Sequence, residues 1–368
     1  MESFERLHPD DVCPRARGAL RAWLALQRRF VFRPLEARAA LAREPDPRRI
    51  LQADGAPPLA SEAEVAALRA SGAALVPFGS PLYPQRLARL ADAPAVLLVR
   101  GDPAVLSSPA VAVVGARAAT AYGRANARRF AEAFAEAGLA VVSGLATGID
   151  GEAHAAALAR GGRSLGVQAC GPERVYPARH VRLAQRVAAS GAVVTEFPTG
   201  TPPRAPHFPL RNRIISALSR AVLVVEARLR SGSLVTARHA ADQGVDVWAL
   251  PGPIGVPTSE GTNRLLADGA QPALSPEEML AGLADAGVPL CPRSAAAPAG
   301  GAPSPAAERL LAALRDVPRS RDALCRALAL APGELAPQLL ELELAGWVRE
   351  DRDGRFCVIS PLREPELS

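Results

Sequence analysis

Hydrophobic residues along this chain follow two patterns that change near residue 73. Residues 1–70 carry helix-period segments, "RGALRAWLALQRRF", "PLEARAALARE" and "SEAEVAALRASG", interrupted by Pro45, Pro47, Pro57 and Pro58. Proline cannot donate into a helix, so these breaks predict a helical domain of several short helices. Ser61 and Glu64 form Ser-x-x-Glu, in which each side chain caps the other's backbone N–H at a helix start. Residues 71–282 instead alternate short apolar runs with amphipathic stretches such as "AYGRANARRFAEAFAEAG", where Phe130 and Phe134 lie one turn apart. The runs are "AVAVVGA" (110–116), "GLAVVSG" (138–144), "SLGVQACG" (164–171), "AVVTEF" (192–197), "AVLVVEA" (221–227) and "VDVWALPG" (245–252). Strands without polar alternation are covered on both faces, as in a parallel sheet. Repeated strand–helix alternation therefore predicts the α/β class, with a doubly wound, mostly parallel sheet. "PAVLLVRGD" (94–102) predicts one more strand on the entry side.

Beyond that region the periodicity stops. Residues 283–305 are rich in Ala, Pro, Gly and Ser and read as a linker. Residues 306–362 then predict three helices and a hairpin, "VREDRDGRFCVI", with Asp353-Gly354 at the turn. That order is the plan of a winged helix-turn-helix domain.

Composition narrows the chemistry. The N-terminus lacks a cationic segment followed by an apolar one, and no apolar run is long enough to span a bilayer, so a cytoplasmic protein is expected. Cys13, Cys170, Cys291, Cys325 and Cys357 are odd in number and form no Cys-x-x-Cys, which predicts neither a disulfide framework nor a metal site. The net charge of +6 suits a polyanionic partner, but all 43 basic residues are arginine. With alanine so abundant, that reads as coding bias, and position has to carry the inference. The absence of lysine excludes a Walker A loop and a Schiff-base lysine.

Ligands of open parallel sheets bind at the carboxyl ends of the strands. The loops expected there are "GARAATAYG" (115–123), "SGLATGIDGEAH" (143–154), "EARLRSGSLVTARHA" (226–240) and "PGPIGVPTSEGTNRLL" (251–266). Each is rich in Gly, Ser and Thr and enters a helix, as phosphate sites do. Gly144, Gly148 and Gly151 do not have dinucleotide spacing, so no nicotinamide or flavin cofactor is expected. Asp150, Glu152 and His154 resemble acid–base machinery, but Asp150 reads better as a helix cap braced by His154. No nucleophile has a committed base, and Ser231 and Ser233 around Gly232 suit capping or phosphate binding. The chain is expected not to be an enzyme.

Arg211, Asn212 and Arg213 then open a helix whose start already carries partial positive charge. With Arg117 on a neighbouring strand end, and with Arg228 and Arg230, they predict a rim for several phosphates. Phe208 either stacks on an unpaired base or plugs the sheet edge.

These blocks resemble the DNA-processing protein A family, DprA or Smf. The resemblance covers about 73–282 and rests on "AVVGARAATAYGRANARRFAEAFAEAGLAVVSGLATGIDGEAHAAAL", "FPLRNRIISALSRAVLVVEARLRSGSLVTARHAADQGVDVWALPG" and "SEGTNRLLADGA". It implies a Rossmann-like core that binds single-stranded DNA, forms a homodimer and loads the RecA recombinase during natural transformation. The implied DNA-binding residues are Gly115, Arg117, Thr147, Gly148, Arg179, Phe208, Arg211, Asn212, Arg213, Ser231, Gly232 and Ser233. Three departures stand out. Ala116 replaces a serine, Thr147 replaces an arginine, and Ala169-Cys170-Gly171 replaces Gly-Thr-Gly. One phosphate partner is lost, which predicts weaker binding with a shallower salt dependence. Arg174 and Arg179 are the nearby candidates to replace it. Two rival readings are a nucleotide-processing enzyme on the same sheet edge and a duplex-DNA regulator acting through the winged helix.

Overall fold

The computed structural model describes Leu7 and residues 14–53, 59–290, 305–314, 319–328, 330–344, 348–350 and 355–358. The chain divides into two compact units, Met1–Cys291 and Pro292–Ser368.

The first unit opens with α1 (Pro14–Phe30), α2 (Pro34–Arg43), α3 (Pro47–Ala53) and α4 (Glu62–Ser71). Prolines begin three of these helices, where a missing N–H costs nothing. The capping box at Ser61 and Glu64 starts the fourth, and Gly72 ends it with φ +67°. Strand β1 (Ala74–Pro77), the short helix α5 (Gln85–Ala88) and β2 (Val96–Gly101) follow. Next come β3 (Ala110–Val114), α6 (Ala121–Glu136), β4 (Ala140–Ser143), α7 (Ile149–Ala159), β5 (Ser164–Val167), α8 (Val181–Ser190) and β6 (Ala192–Thr195). The unit ends with α9 (His207–Ala217), β7 (Ala221–Val224), α10 (Gly232–Asp242), β8 (Asp246–Ala249), α11 (Pro257–Ala267), β9 (Gln271–Pro272) and α12 (Pro276–Asp285).

All seven sequence-predicted strands are present, in one nine-stranded sheet of order β1-β2-β6-β5-β4-β3-β7-β8-β9. The stretch from β5 to β9 reproduces the doubly wound order 3-2-1-4-5-6. The strand direction reverses only where β2 meets β6 and β1 meets β2. Strands β1 and β9 are the two the apolar runs do not reveal. One is four residues against an edge and the other is two residues long.

Period-2 alternation divides the sheet between two cores. Ala110, Ala112 and Val114 of β3 face one core with Ile214, Ile215 and Ala237 from α9 and α10. Val111 and Val113 face the other with Phe130, Phe134 and Ala153 from α6 and α7. The two phenylalanine rings meet edge-on at 6.0 Å, and burying each side chain contributes about 1.5–3 kcal/mol. Val96 and Leu98 of β2 turn away from these cores into a third, shared with α1, α2, α3 and α4. The N-terminal helices and the sheet thus share a core. Leu283 and Val288, at the start of the expected linker, are also buried in this unit.

The second unit contains α13 (Pro305–Leu314), β10 (Arg319–Ser320), α14 (Arg321–Leu328), α15 (Pro332–Leu344), β11 (Val348–Glu350) and β12 (Arg355–Val358). Its sheet order is β10-β12-β11, antiparallel throughout, and Leu310, Leu324, Leu339 and Phe356 build its core. The three helices and the paired strands of a winged helix are therefore present. The expected turn at Asp353-Gly354 lies outside the described residues.

Candidate nucleic-acid interface

Strand β3 lies beside β4 on one side and β7 on the other, so the switch point of the sheet falls between β3 and β7. In dinucleotide-binding folds an anion sits at the first helix start beyond such a point. Here that place holds a protein carboxylate. Glu226, buried at the end of β7, accepts the Thr120 backbone N–H at 2.9 Å and the Thr120 hydroxyl. Thr120 in turn caps α6 by accepting the Gly123 N–H at 3.1 Å. Gly123 leaves no space for a Cβ against the Glu226 carboxylate.

A second carboxylate holds the loop that leads into the next helix. Asp150 accepts the N–H groups of Gly144 at 3.0 Å and Ala146 at 3.4 Å. It therefore caps the loop after β4 rather than the first turn of α7. Burial raises its pKa, opposed by nearby Arg211 and by these two N–H donors. His154 does not brace Asp150. Its Nδ1 pairs with the Ser164 hydroxyl at 2.7 Å. Burial, and then the charges of His180 and Arg211, lower its pKa to about 3, so it is neutral at pH 7. Glu152 pairs with Arg128 at 2.7 Å on the surface. The three residues thus serve separate structural contacts.

Around these two carboxylates the cationic loops assemble. Gly115 ends β3 packed against Ile149 and the Glu226 carbonyl, with no room for a side chain. Thr147 donates its hydroxyl to the Arg117 carbonyl at 3.3 Å. Gly148, at φ +77°, lies against the carbonyls of Ala116 and Arg117, where any Cβ would collide. Thr147 and Gly148 therefore hold the loop that projects Arg117 outward. The Arg117 guanidinium lies 4.9 Å from the centroid of the Phe208 ring, and that of Arg211 lies 6.0 Å from it. Both are within cation–π range. Tyr176 meets Phe208 edge-on at 5.6 Å. Phe208 is half-buried, with aromatic and cationic neighbours rather than a purely apolar seat.

Arg211, Asn212 and Arg213 diverge because consecutive helix residues are about 100° apart. Arg211 lies flat on Gly144, where no Cβ would fit, and donates to the Val167 carbonyl at 2.7 Å. Burial lowers its pKa to about 10, with Asp150 opposing and Arg117 adding to the shift. It remains charged at neutral pH. Asn212 donates to the Gly232 carbonyl at 3.1 Å and so fixes the start of α10. There Ser231 caps the helix by accepting the Ser233 N–H, and the two hydroxyls lie 2.7 Å apart.

Arg213 contradicts the expectation of a shared cationic rim. It is 2% exposed and makes a two-pronged ion pair with Glu196 at 2.6 and 2.7 Å. Its Nε also pairs with Asp92 at 3.0 Å. Burial lowers its pKa, but Glu196 and Asp92 more than offset this, and the net shift is upward. Arg213 thus serves the interior. Arg117, Arg211 and Phe208 converge, with Gly115, Thr147 and Gly148 holding their loop. Asn212, Ser231, Gly232 and Ser233 form a second cluster across α9.

Arg179 is exposed in a 3-10 turn whose next residue, His180, pairs its Nδ1 with the Leu145 carbonyl at 2.8 Å. That bond ties the turn to the loop after β4. Arg174, Arg228 and Arg230 are also exposed. Cys170 is buried, and burial lifts its thiol pKa to about 11. Two participants escape the sequence reading, Tyr176 and Glu226. Tyr176 carried a signal, since "RVYPAR" places an aromatic between arginines in a loop.

The family model described as DNA recombination-mediator protein A matches residues 74–284. The chain belongs to this family. The DprA winged helix domain matches residues 294–354. Among curated relatives, Protein Smf of Escherichia coli (strain K12) is 46% identical over 282 residues, covering 74% of each chain. The DNA processing protein DprA of Bacillus subtilis (strain 168) is 40% identical over 216 residues, covering 58% of this chain and 73% of the relative. A solved DprA from Streptococcus pneumoniae has a TM-score of 0.58 and 32% identity, covering 71% of this chain and 92% of that one. Another, from Helicobacter pylori and described for its single-stranded DNA binding mode, has a TM-score of 0.52 and 30% identity. It covers 55% of this chain and 94% of the other. Among the described residues no helix of this DprA/Smf protein is long and apolar enough to cross a membrane.

Proposed function

We propose that the Arg117–Phe208–Arg211 rim binds single-stranded DNA and that the chain is a non-enzymatic recombination mediator. One observation carries this reading. The guanidiniums of exposed Arg117 and of Arg211, which is 3% exposed, both lie within 6.0 Å of the Phe208 ring centroid at the strand ends, and among the described residues neither makes an ion pair. Like charges held together gain from an incoming anion, and the ring offers a stacking face that any unpaired base fits. Phosphates alone would be served by arginines without the ring, and a duplex would hide its bases from the ring.

Family membership supports the remainder of the proposal. The chain works as a homodimer in the cytoplasm, protects incoming strands and loads RecA during natural transformation. Faster RecA filament assembly on strands covered by a single-strand binding protein is the expected signature of loading.

Fluorescence anisotropy with a labelled oligothymidine tests the rim. Arg117→Ala and Phe208→Ala are each expected to weaken binding by roughly 5- to 100-fold, judged from stacking and phosphate energies of about 1–3 kcal/mol. Arg117→Ala also reduces the slope of log K against log salt by about 0.7, the loss of one phosphate contact. Unchanged affinity and slope in both variants would refute the assignment.

A further inference from the structure

The junction of α1 and α2 reads "RRFVFRP" over residues 28–34. Phe30 turns into the helical core, whereas Phe32 is 61% exposed. Its ring is nevertheless supported. Phe32 stacks on His207 at 5.5 Å and 30°, and His207 stacks on buried Phe197 at 4.6 Å and 24°. The result is a ring with a packed inner face and an open outer side. The guanidiniums of Arg29 and Arg33 lie 5.1 and 5.7 Å from the ring of buried Phe30, and Arg33 follows Phe32 in sequence. Arg33 pairs with Glu36 at 3.3 Å, but both side chains are more than half exposed. An exposed pair of this kind contributes little and yields readily to a phosphate.

His207 and Phe208 are the first two residues of α9. The helical turn between them sends His207 towards Phe197 and Phe32, and Phe208 towards Tyr176 and Arg117. A single helix start therefore carries a supported aromatic face on each side.

We propose that Phe32 is a second base-stacking site, which continues the single-strand path from Phe208 across the start of α9 onto the N-terminal helices. The proposal rests on the reading of the rim given above. Phe32 lies outside residues 74–284, which match the recombination-mediator family model. Exposed Arg33 next to Phe32 in sequence, and the shared start of α9, whose His207 supports Phe32 and whose Phe208 belongs to the rim, favour a polynucleotide occupant over an apolar protein partner. Stacking accepts every base, so Phe32 adds affinity that depends on strand length and not on sequence.

The test uses the full chain and oligothymidines of increasing length at fixed salt. Phe32→Ala is expected to match the wild type on the shortest oligonucleotides that bind. On longer ones it loses roughly 5- to 100-fold. Phe32→Trp restores the longer-strand affinity, and its added fluorescence is quenched by the longer strands alone. Wild-type affinity of Phe32→Ala at every length, with Phe208→Ala weakened throughout, overturns this proposal and leaves the rim intact. Wild-type affinity of Phe208→Ala at every length instead refutes the rim itself. A change in sedimentation mass of Phe32→Ala without a change in strand affinity assigns the ring to a protein contact and also overturns the proposal.

Discussion

Arg211 and Arg213 are two positions apart, chemically identical and both buried, yet their partners differ. Arg211 lies under Phe208 with one carbonyl partner, while Arg213 is held by Glu196 on two prongs. Removing one member of a buried ion pair leaves the other charge without compensation, at a cost of about 3–5 kcal/mol. Arg213→Ala is therefore expected to lower the urea midpoint strongly, through Glu196. Arg117→Ala, at an exposed site, leaves the midpoint within error while weakening strand binding. Equal melting of wild type and Arg213→Ala would contradict the assignment of Arg213 to the interior. The sequence showed both arginines at a helix mouth but not their partners. Glu196 and Asp92 lie 17 and 121 residues away from Arg213, and only the folded chain brings them there.

Elements were more legible than contacts. Unbroken apolar runs identified seven strands because a doubly covered strand has no polar face to disguise it. Glycine-rich loops marked the carboxyl rim correctly. Asp150 was anticipated as a capping carboxylate, though at the helix start rather than in the loop after β4, whereas Glu226 was not, since it reads as the tail of an apolar run and reaches Thr120 across 106 positions. This arrangement has a measurable result. The Glu226 carboxylate at the start of α6 and the Asp150 carboxylate, which reaches back to the loop before α7, already place a protein anion where a small phosphate would sit. Mononucleotides at millimolar concentration are expected to leave bound oligothymidine in place, whereas unlabelled oligothymidine displaces it. Displacement by mononucleotides would favour the nucleotide-enzyme reading instead.

At the scale of the molecule, charge is unevenly divided. Pro292–Ser368 contains 10 arginines against 11 aspartates and glutamates, a net charge of −1, so the remaining chain carries +7 of the total +6. Helix α15 follows the turn after α14, as a groove-reading helix does. Its sequence, "PGELAPQLLELEL", contains three glutamates and no cation. Glu334 and Glu341 are exposed, as is the apolar Leu340. Such a face repels phosphates. Deleting residues 292–368 is expected to leave single-strand affinity within about twofold, because the proposed phosphate contacts belong to the first unit. A tenfold loss in that truncation would place part of the strand site on the winged helix.

The internal capping of the sheet by Glu226 and Asp150 has an energetic corollary. Loops that already possess their own anions need none from outside to become ordered. The receiving surface is thus preorganised, and the entropy lost on association falls chiefly on the flexible polymer. Capture then resembles laying a thread along a finished track, with little reshaping of the track itself.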